Sequence, residues 1–335
     1  MSGHTCQRVI TRSSWRRREP RLQILNFEDV HIAAASLLRS LQEQGAVLLK
    51  MPASGGLPDH VQACFSACRR FFERPLEEKA QHGAGNGVGQ QHGYMSYLED
   101  KEGGSECFEV KCFFDAAFRW PPDPPNLQRA VSDACTTLHE AALQVLDALI
   151  SALHLRKAHV HSLLDAPASP DVPLDVVSHS AMRVWSYTRA LRSGWHADNT
   201  LLTIAPAASC VGLHCRLLDG TSVYPERQML PDHLLVFAGD ALSYLSGGRL
   251  LALMHEVTPP PSAAPRLSMP FFLRARRMAY LDPACASCGS ADERILALPR
   301  LRVSDLERNV GNVRSSWFWK RLHYFAGCEW HAEQL

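Results

Sequence analysis

Apolar positions recur at helical spacing through the first half of the chain and at strand spacing through the second. Residues 29–44 predict a helix capped by Asp29, with Ile32, Ala35, Leu37, Leu38 and Leu41 as its apolar stripe and Gly45 as its stop. Ala46-Val47-Leu48-Leu49 then reads as a short apolar strand. Asp59 is placed to cap a second helix, with Val61, Cys64, Phe65, Cys68, Phe71 and Phe72 inward and its end before Pro75. Residues 80–105, rich in Gly, Gln and His, predict a mobile loop. Beyond the prolines at 121–125, a long helix is expected over 126–154. Its stripe of Leu127, Val131, Ala134, Leu138, Ala142, Val145, Leu149 and Leu153 marks core and not a ligand site.

After about residue 178 the period changes. Met182–Tyr187, Leu201–Ile204, His233–Phe237, Ala241–Leu245, Leu250–Val257 and Leu267–Arg276 read as strands, and Asp219-Gly220 within 212–224 is a hairpin-turn signal. Many short strands argue for a sandwich or barrel, and helices first with strands after argue for a helical layer packed on a β core. The expected class is α+β, mainly β. The expected division is a basic, disordered tail at 1–21, a helical region at 22–155, a β domain at 178–277 and a C-terminal tail at 278–335.

With 335 residues and 46% hydrophobic content, the chain can bury a sizeable core. A net charge of +1 gives no reason to invoke nucleic acid as a partner. No apolar run approaches the roughly 18 residues that span a bilayer. Six arginines against Glu19 in the first 21 residues read either as an organelle transit segment or as a disordered basic tail, and a cytoplasmic protein is the simpler expectation. Eleven cysteines without framework spacing read as reduced, buried side chains of an intracellular protein. Sixteen histidines make any single one weak evidence, so spacing has to decide.

Among those histidines, only His196 has an Asp two positions on, and i, i+2 side chains on a strand share a face, so His196 and Asp198 can grip one ion. His331-Ala-Glu333 is a near miss with no histidine after it. A distal partner is available in His255 at the end of the apolar run Leu250–Met254; alone it would read as a satisfied core residue. Two imidazoles and a carboxylate on one face of a metal, with the other face open, are what a non-haem Fe(II) oxygenase requires. Arg266 and Ser268, another i, i+2 pair, supply a guanidinium fork and a hydroxyl suited to a carboxylate, although Arg266 by itself could equally form a surface salt bridge.

At these residues the chain resembles the isopenicillin N synthase-like branch of the 2-oxoglutarate/Fe(II)-dependent dioxygenases. The likeness covers about residues 22–276. In the first half it rests on Gln23–Phe27, Gln44–Leu49, the Phe71-Phe72-x-x-Pro75-x-x-x-Lys79 stretch, Gly93-Tyr94 and Glu106–Glu109. In the second half it rests on Gly194–Asp198, Gly212-Leu213, Phe237–Asp240, Leu245–Gly248 and Arg266–Ser268. It implies a double-stranded β-helix (jelly roll) core behind a helical N-terminal layer. It also implies Fe(II) on His196, Asp198 and His255, with 2-oxoglutarate held by Arg266, Ser268 and Tyr187 and oxidised with O2 alongside a small-molecule substrate. The chain departs from the family at Trp185, where relatives often carry Asn, and at Glu256, where Arg is usual. An acid at 198 favours hydroxylation, desaturation or ring closure over halogenation. A monomer without nucleic-acid or membrane partners is expected.

Cys285-x-x-Cys288 with Cys328 and His331 would form C-x2-C…C-x2-H, the donor set of a structural zinc site in the tail. His159 and His161 have no acid nearby in sequence and read as surface, and Arg274, Arg276 and Arg277 read as a solvated strand end or as a cluster that helps draw in an anionic substrate. Two rival functions stand beside the dioxygenase reading. One is a 2-oxoglutarate-independent oxidase in which Arg266 and Ser268 hold a substrate carboxylate. The other is a non-catalytic small-molecule-binding protein on the same scaffold.

Overall fold

A computed structural model describes residues 19–83, 93–99, 103–111, 119–165, 179–188, 193–258, 264–288 and 298–306. In chain order the first half forms β1 (Ile24–Asn26), α1 (Ala34–Glu43), β2 (Ala46–Lys50), α2 (Leu57–Phe72), α3 (Leu76–Ala80), β3 (Gly93–Glu99), β4 (Gly103–Lys111), α4 (Leu127–Ala152) and α5 (Lys157–Ser162). The second half forms β5 (Ala181–Tyr187), β6 (Ser193–His196), β7 (Leu202–Pro206), β8 (Leu213–Arg216), β9 (Ser222–Val223), β10 (His233–Ala238), β11 (Met254–Val257), β12 (Arg266–Ser268) and β13 (Phe271–Leu273). No described helix is long and apolar enough to cross a membrane.

Two sheets face each other. The larger runs β1-β2-β10-β7-β13-β5-β4-β3, with β12 also paired to β5, and the smaller runs β6-β11-β8-β9. The face-to-face pair is the jelly roll, and α1, α2 and α4 cover the outer face of the large sheet. The central strands carry apolar residues on both sides because both sides are covered. On β10, Leu234, Val236 and Ala238 join the helix-side core, whereas Leu235 and Phe237 join a second cluster between the sheets. On β2, Val47 and Leu49 divide from Ala46 and Leu48 in the same way. The whole stripe expected on α4 is buried against α1, α2, β7 and β13.

Several boundaries differ from the expectation. A 3-10 turn at Phe27–Asp29 and a turn over residues 30–33 precede α1, which begins at Ala34, so Asp29 does not cap it and Ile32 lies outside the helix, 89% exposed. The cap of α2 is Gly56 and not Asp59, which sits in the first turn. The expected loop at 80–105 contains the β3–β4 hairpin, which extends the large sheet through β5; residues 84–92 and 100–102 lie outside the described residues. Its anchor is a buried triplet: Lys79 Nζ donates to the Phe72 carbonyl (2.8 Å) and to Glu106, and the Tyr94 hydroxyl donates to the same carboxylate (2.6 Å). Residues 240–245 form a short helix instead of a strand, started by Asp240 beyond Gly239, and β11 begins only at Met254. His161 is not without an acid, since its Nε2 meets Asp147 Oδ1 of α4 at 2.5 Å.

Candidate metal centre

The antiparallel pairing of β6 and β11 sets His196 directly opposite His255, with ring centroids 4.4 Å apart. Asp198 lies two residues on, just past the end of β6, and not on the strand as its i, i+2 spacing suggested. Its backbone is fixed there because its carbonyl accepts the Asp240 amide at 2.8 Å. That contact needs a glycine at 239, where a Cβ would fall 2.6 Å from the Asp198 carbonyl and 2.2 Å from Thr200 Oγ1.

One ligand atom from each of the three residues lies within 4.8 Å of the others. His196 Nδ1 donates to the Gly194 carbonyl (2.7 Å) and His255 Nδ1 to the Leu253 carbonyl (3.1 Å). A carbonyl can only accept, so each Nδ1 carries a proton and each Nε2 is the ring nitrogen that faces the other two residues. Those two nitrogens lie 3.9 and 3.8 Å from Asp198 Oδ1. The other carboxylate oxygen, Oδ2, accepts from Thr203 Oγ1 of β7 at 2.7 Å, which leaves Oδ1 to a cation. Two imidazoles and a braced carboxylate are the donor set of a facial-triad iron site, with the supporting hydrogen bonds such ligands normally carry. Among the described residues this is the one such group that could hold a metal.

The triad opens into a cavity of about 590 Å³ between the two sheets. Arg266, Ser268 and Tyr187 all line it. They are brought together by β12–β5 pairing, with Arg266 opposite Tyr187 and Ser268 opposite Trp185. Burial pushes the Tyr187 hydroxyl up to about 12, against the pull of Arg266 and a hydrogen bond with Ser268, so it stays protonated at neutral pH. Trp185 stacks on Tyr187 at 5.6 Å and tilts against Tyr97 at 5.7 Å, which makes one wall of the cavity aromatic. Glu256 pairs with His214 Nδ1 at 3.0 Å.

Arg274 is not part of a solvated strand end, because it lines this cavity. Arg183, which also lines the cavity, and Lys111 ion-pair with the buried Glu109. Burial alone would raise that carboxyl, but the charges of Arg183, Lys111 and Arg274 outweigh it and hold Glu109 at about 2.

Two residues that sequence reasoning missed complete the site. Thr203 is the hydroxyl in an otherwise apolar strand, a pattern that could have marked it. Glu226, in a 3-10 turn at Pro225–Arg227, gave no signal. Its carboxylate pairs with Arg266 and accepts the Gly212 and Leu213 amides at 2.6 and 2.8 Å. Arg266 also donates from Nε to the Cys210 carbonyl (3.1 Å), and it leaves no room at 212, where a Cβ would lie 2.5 Å from its Cδ. Of the expected zinc donors, Cys285 and Cys288 are exposed free cysteines, while Cys328 and His331 lie outside the described residues; the zinc site has no support.

Residues 178–275 match the model of the 2OG-Fe(II) oxygenase superfamily. A leucoanthocyanidin dioxygenase from Perilla frutescens is 25% identical over 216 residues, 60% of this chain and 56% of that protein. The chain thus spans little more than half the length of that relative. The 2-oxoglutarate-dependent dioxygenase ecdK of Aspergillus rugulosus is 23% identical over 71% of this chain and 83% of its own. A full-length Neurospora crassa protein, solved in complex with alpha-KG, superposes with a TM-score of 0.68 over 87% of this chain and 96% of its own, at 17% identity. At that identity the likeness is one of fold.

Proposed function

Because the chain belongs to the 2OG-Fe(II) oxygenase superfamily, we propose that it is a dioxygenase that oxidises a small organic molecule, by hydroxylation, desaturation or ring closure, at an Fe(II) held by His196, Asp198 and His255. The observation that carries this reading is the convergence of one donor atom each from His196, Asp198 and His255 within 4.8 Å of one another, on the wall of a cavity. Iron with 2-oxoglutarate supplies the activation of O2 and the oxidation of substrate, releasing succinate and CO2.

The chain's own residues do the positioning. The Gly194 and Leu253 carbonyls fix the tautomers of the two imidazoles. Thr203 keeps Asp198 from turning its second oxygen to the metal. Arg266, Ser268 and Tyr187 lie where they can take the far carboxylate of 2-oxoglutarate, and Tyr97, Trp185 and Phe272 offer flat apolar surface to a substrate and exclude water from it. The test is O2 uptake and succinate release by the iron-loaded protein. Both are expected to depend on 2-oxoglutarate and to vanish in His196→Ala and Asp198→Ala; turnover retained in either variant contradicts the assignment.

One observation favours a second reading, an Fe(II) oxidase that needs no 2-oxoglutarate: Arg266 is already ion-paired to Glu226. O2 uptake with substrate alone would identify it.

A further inference from the structure

Arg266 and Glu226 form a pair closed off from solvent, their side chains 3% and 6% exposed. The carboxylate of Glu226 is fully used. One oxygen takes Arg266 Nη2 and the other takes the Gly212 and Leu213 amides. Two of the arginine's three nitrogens are engaged, Nε on the Cys210 carbonyl and Nη2 on Glu226, while the buried Nη1 has no partner. Both residues line the cavity. A guanidinium that recognises a carboxylate normally offers it two parallel N–H groups and a whole positive charge. Here a carboxylate built into the chain already takes one arm and cancels the charge.

We infer that Glu226 is a specificity-determining residue of the 2-oxo-acid slot: by neutralising Arg266 it removes most of the advantage that a second carboxylate gives 2-oxoglutarate, so the slot takes 2-oxo acids with uncharged tails nearly as well. The inference rests on the cosubstrate reading proposed above. The physical reason is a comparison of charges. A tail carboxylate entering this slot gains the N–H groups of Nη1 and meets the negative charge of Glu226 on the same guanidinium. An uncharged tail forgoes that contact and avoids that repulsion and the cost of desolvating a carboxylate. The two-carbon spacer and the keto acid, which would lie toward the metal, are the same for both.

The test uses anaerobic Fe(II)-loaded full-length protein and two probes of equal length, 2-oxoglutarate and 2-oxopentanoate, with affinities measured by calorimetry. In the wild type, 2-oxoglutarate is expected to be preferred by less than about tenfold, where an uncompensated arginine would give on the order of 10–100-fold from one charge-assisted contact. In Glu226→Gln the amide cannot satisfy all three donors whichever way it turns, and the charge of Arg266 is released. The preference for 2-oxoglutarate is then expected to rise at least about tenfold, with 2-oxopentanoate little changed. A wild-type preference of about tenfold or more overturns the inference without recourse to any variant, and so does an unchanged or reduced preference in a folded Glu226→Gln protein. If neither acid binds the iron-loaded wild type, the cosubstrate reading itself fails and this inference falls with it, an outcome distinct from the other two.

Discussion

Thr203 shows how much of the candidate centre depends on side chains that never touch the metal. Its hydroxyl holds Asp198 Oδ2 at 2.7 Å and is itself 3.0 Å from Thr200 Oγ1. Thr203→Val keeps the shape and removes the donor. Fe(II) affinity is expected to fall roughly 10–100-fold, as is usual when a ligand's supporting hydrogen bond is lost, with the melting temperature little changed. Competition against a calibrated chelator measures it, and unchanged affinity would assign Thr203 a packing role only. The three residues that the fold brings together, His196, Asp198 and His255, were legible as candidates in the sequence, because a His-x-Asp with a later His and an Arg-x-Ser in a β-rich half is an unusual combination. Glu226 was not. It meets Arg266 across 40 positions of chain, and only the closure of the two sheets brings them together.

At the scale of elements, periodicity located α4 and the two-sided strands well because their apolar patterns are long or unbroken. It failed where a tertiary partner decides. The β3–β4 hairpin was hidden in a Gly-rich stretch because its pairing with β5 comes from 70 or more residues downstream. Residues 240–245 are apolar enough for a strand but fold as a helix at the end of β10, where Gly239 packs against the Asp198 loop. The Lys79–Glu106–Tyr94 triplet ties the hairpin to α3. Glu106→Ala would leave the Lys79 ammonium buried without its counter-charge, which typically costs about 3–5 kcal/mol. Urea denaturation is expected to show a loss of that order, and Glu106→Gln a smaller one. A loss below about 1 kcal/mol in the alanine variant would mean the triplet is replaceable by water.

For the molecule as a whole, the Glu109 network joins β4, β5 and the segment after β13 into one wall of the cavity. Glu109 is held at about 2, below its ordinary 4.5. A depressed carboxyl stabilises the fold in full above the unfolded value and loses that contribution as pH falls through the folded one. Stability is therefore expected to drop between about pH 4.5 and pH 2, and Glu109→Gln, less stable at pH 7, should lose part of that pH dependence. Equal slopes for the two proteins in that window would show that other carboxyls carry the acid response.

The central claim is that His196, Asp198 and His255 hold iron beside a 2-oxo-acid site. Titrating anaerobic Fe(II)-loaded protein with 2-oxoglutarate and recording the visible metal-to-ligand charge-transfer band tests it most directly. The band is expected in the wild type and absent in His255→Ala. A band of equal strength in that variant, or iron that binds while 2-oxoglutarate raises no band, would contradict it.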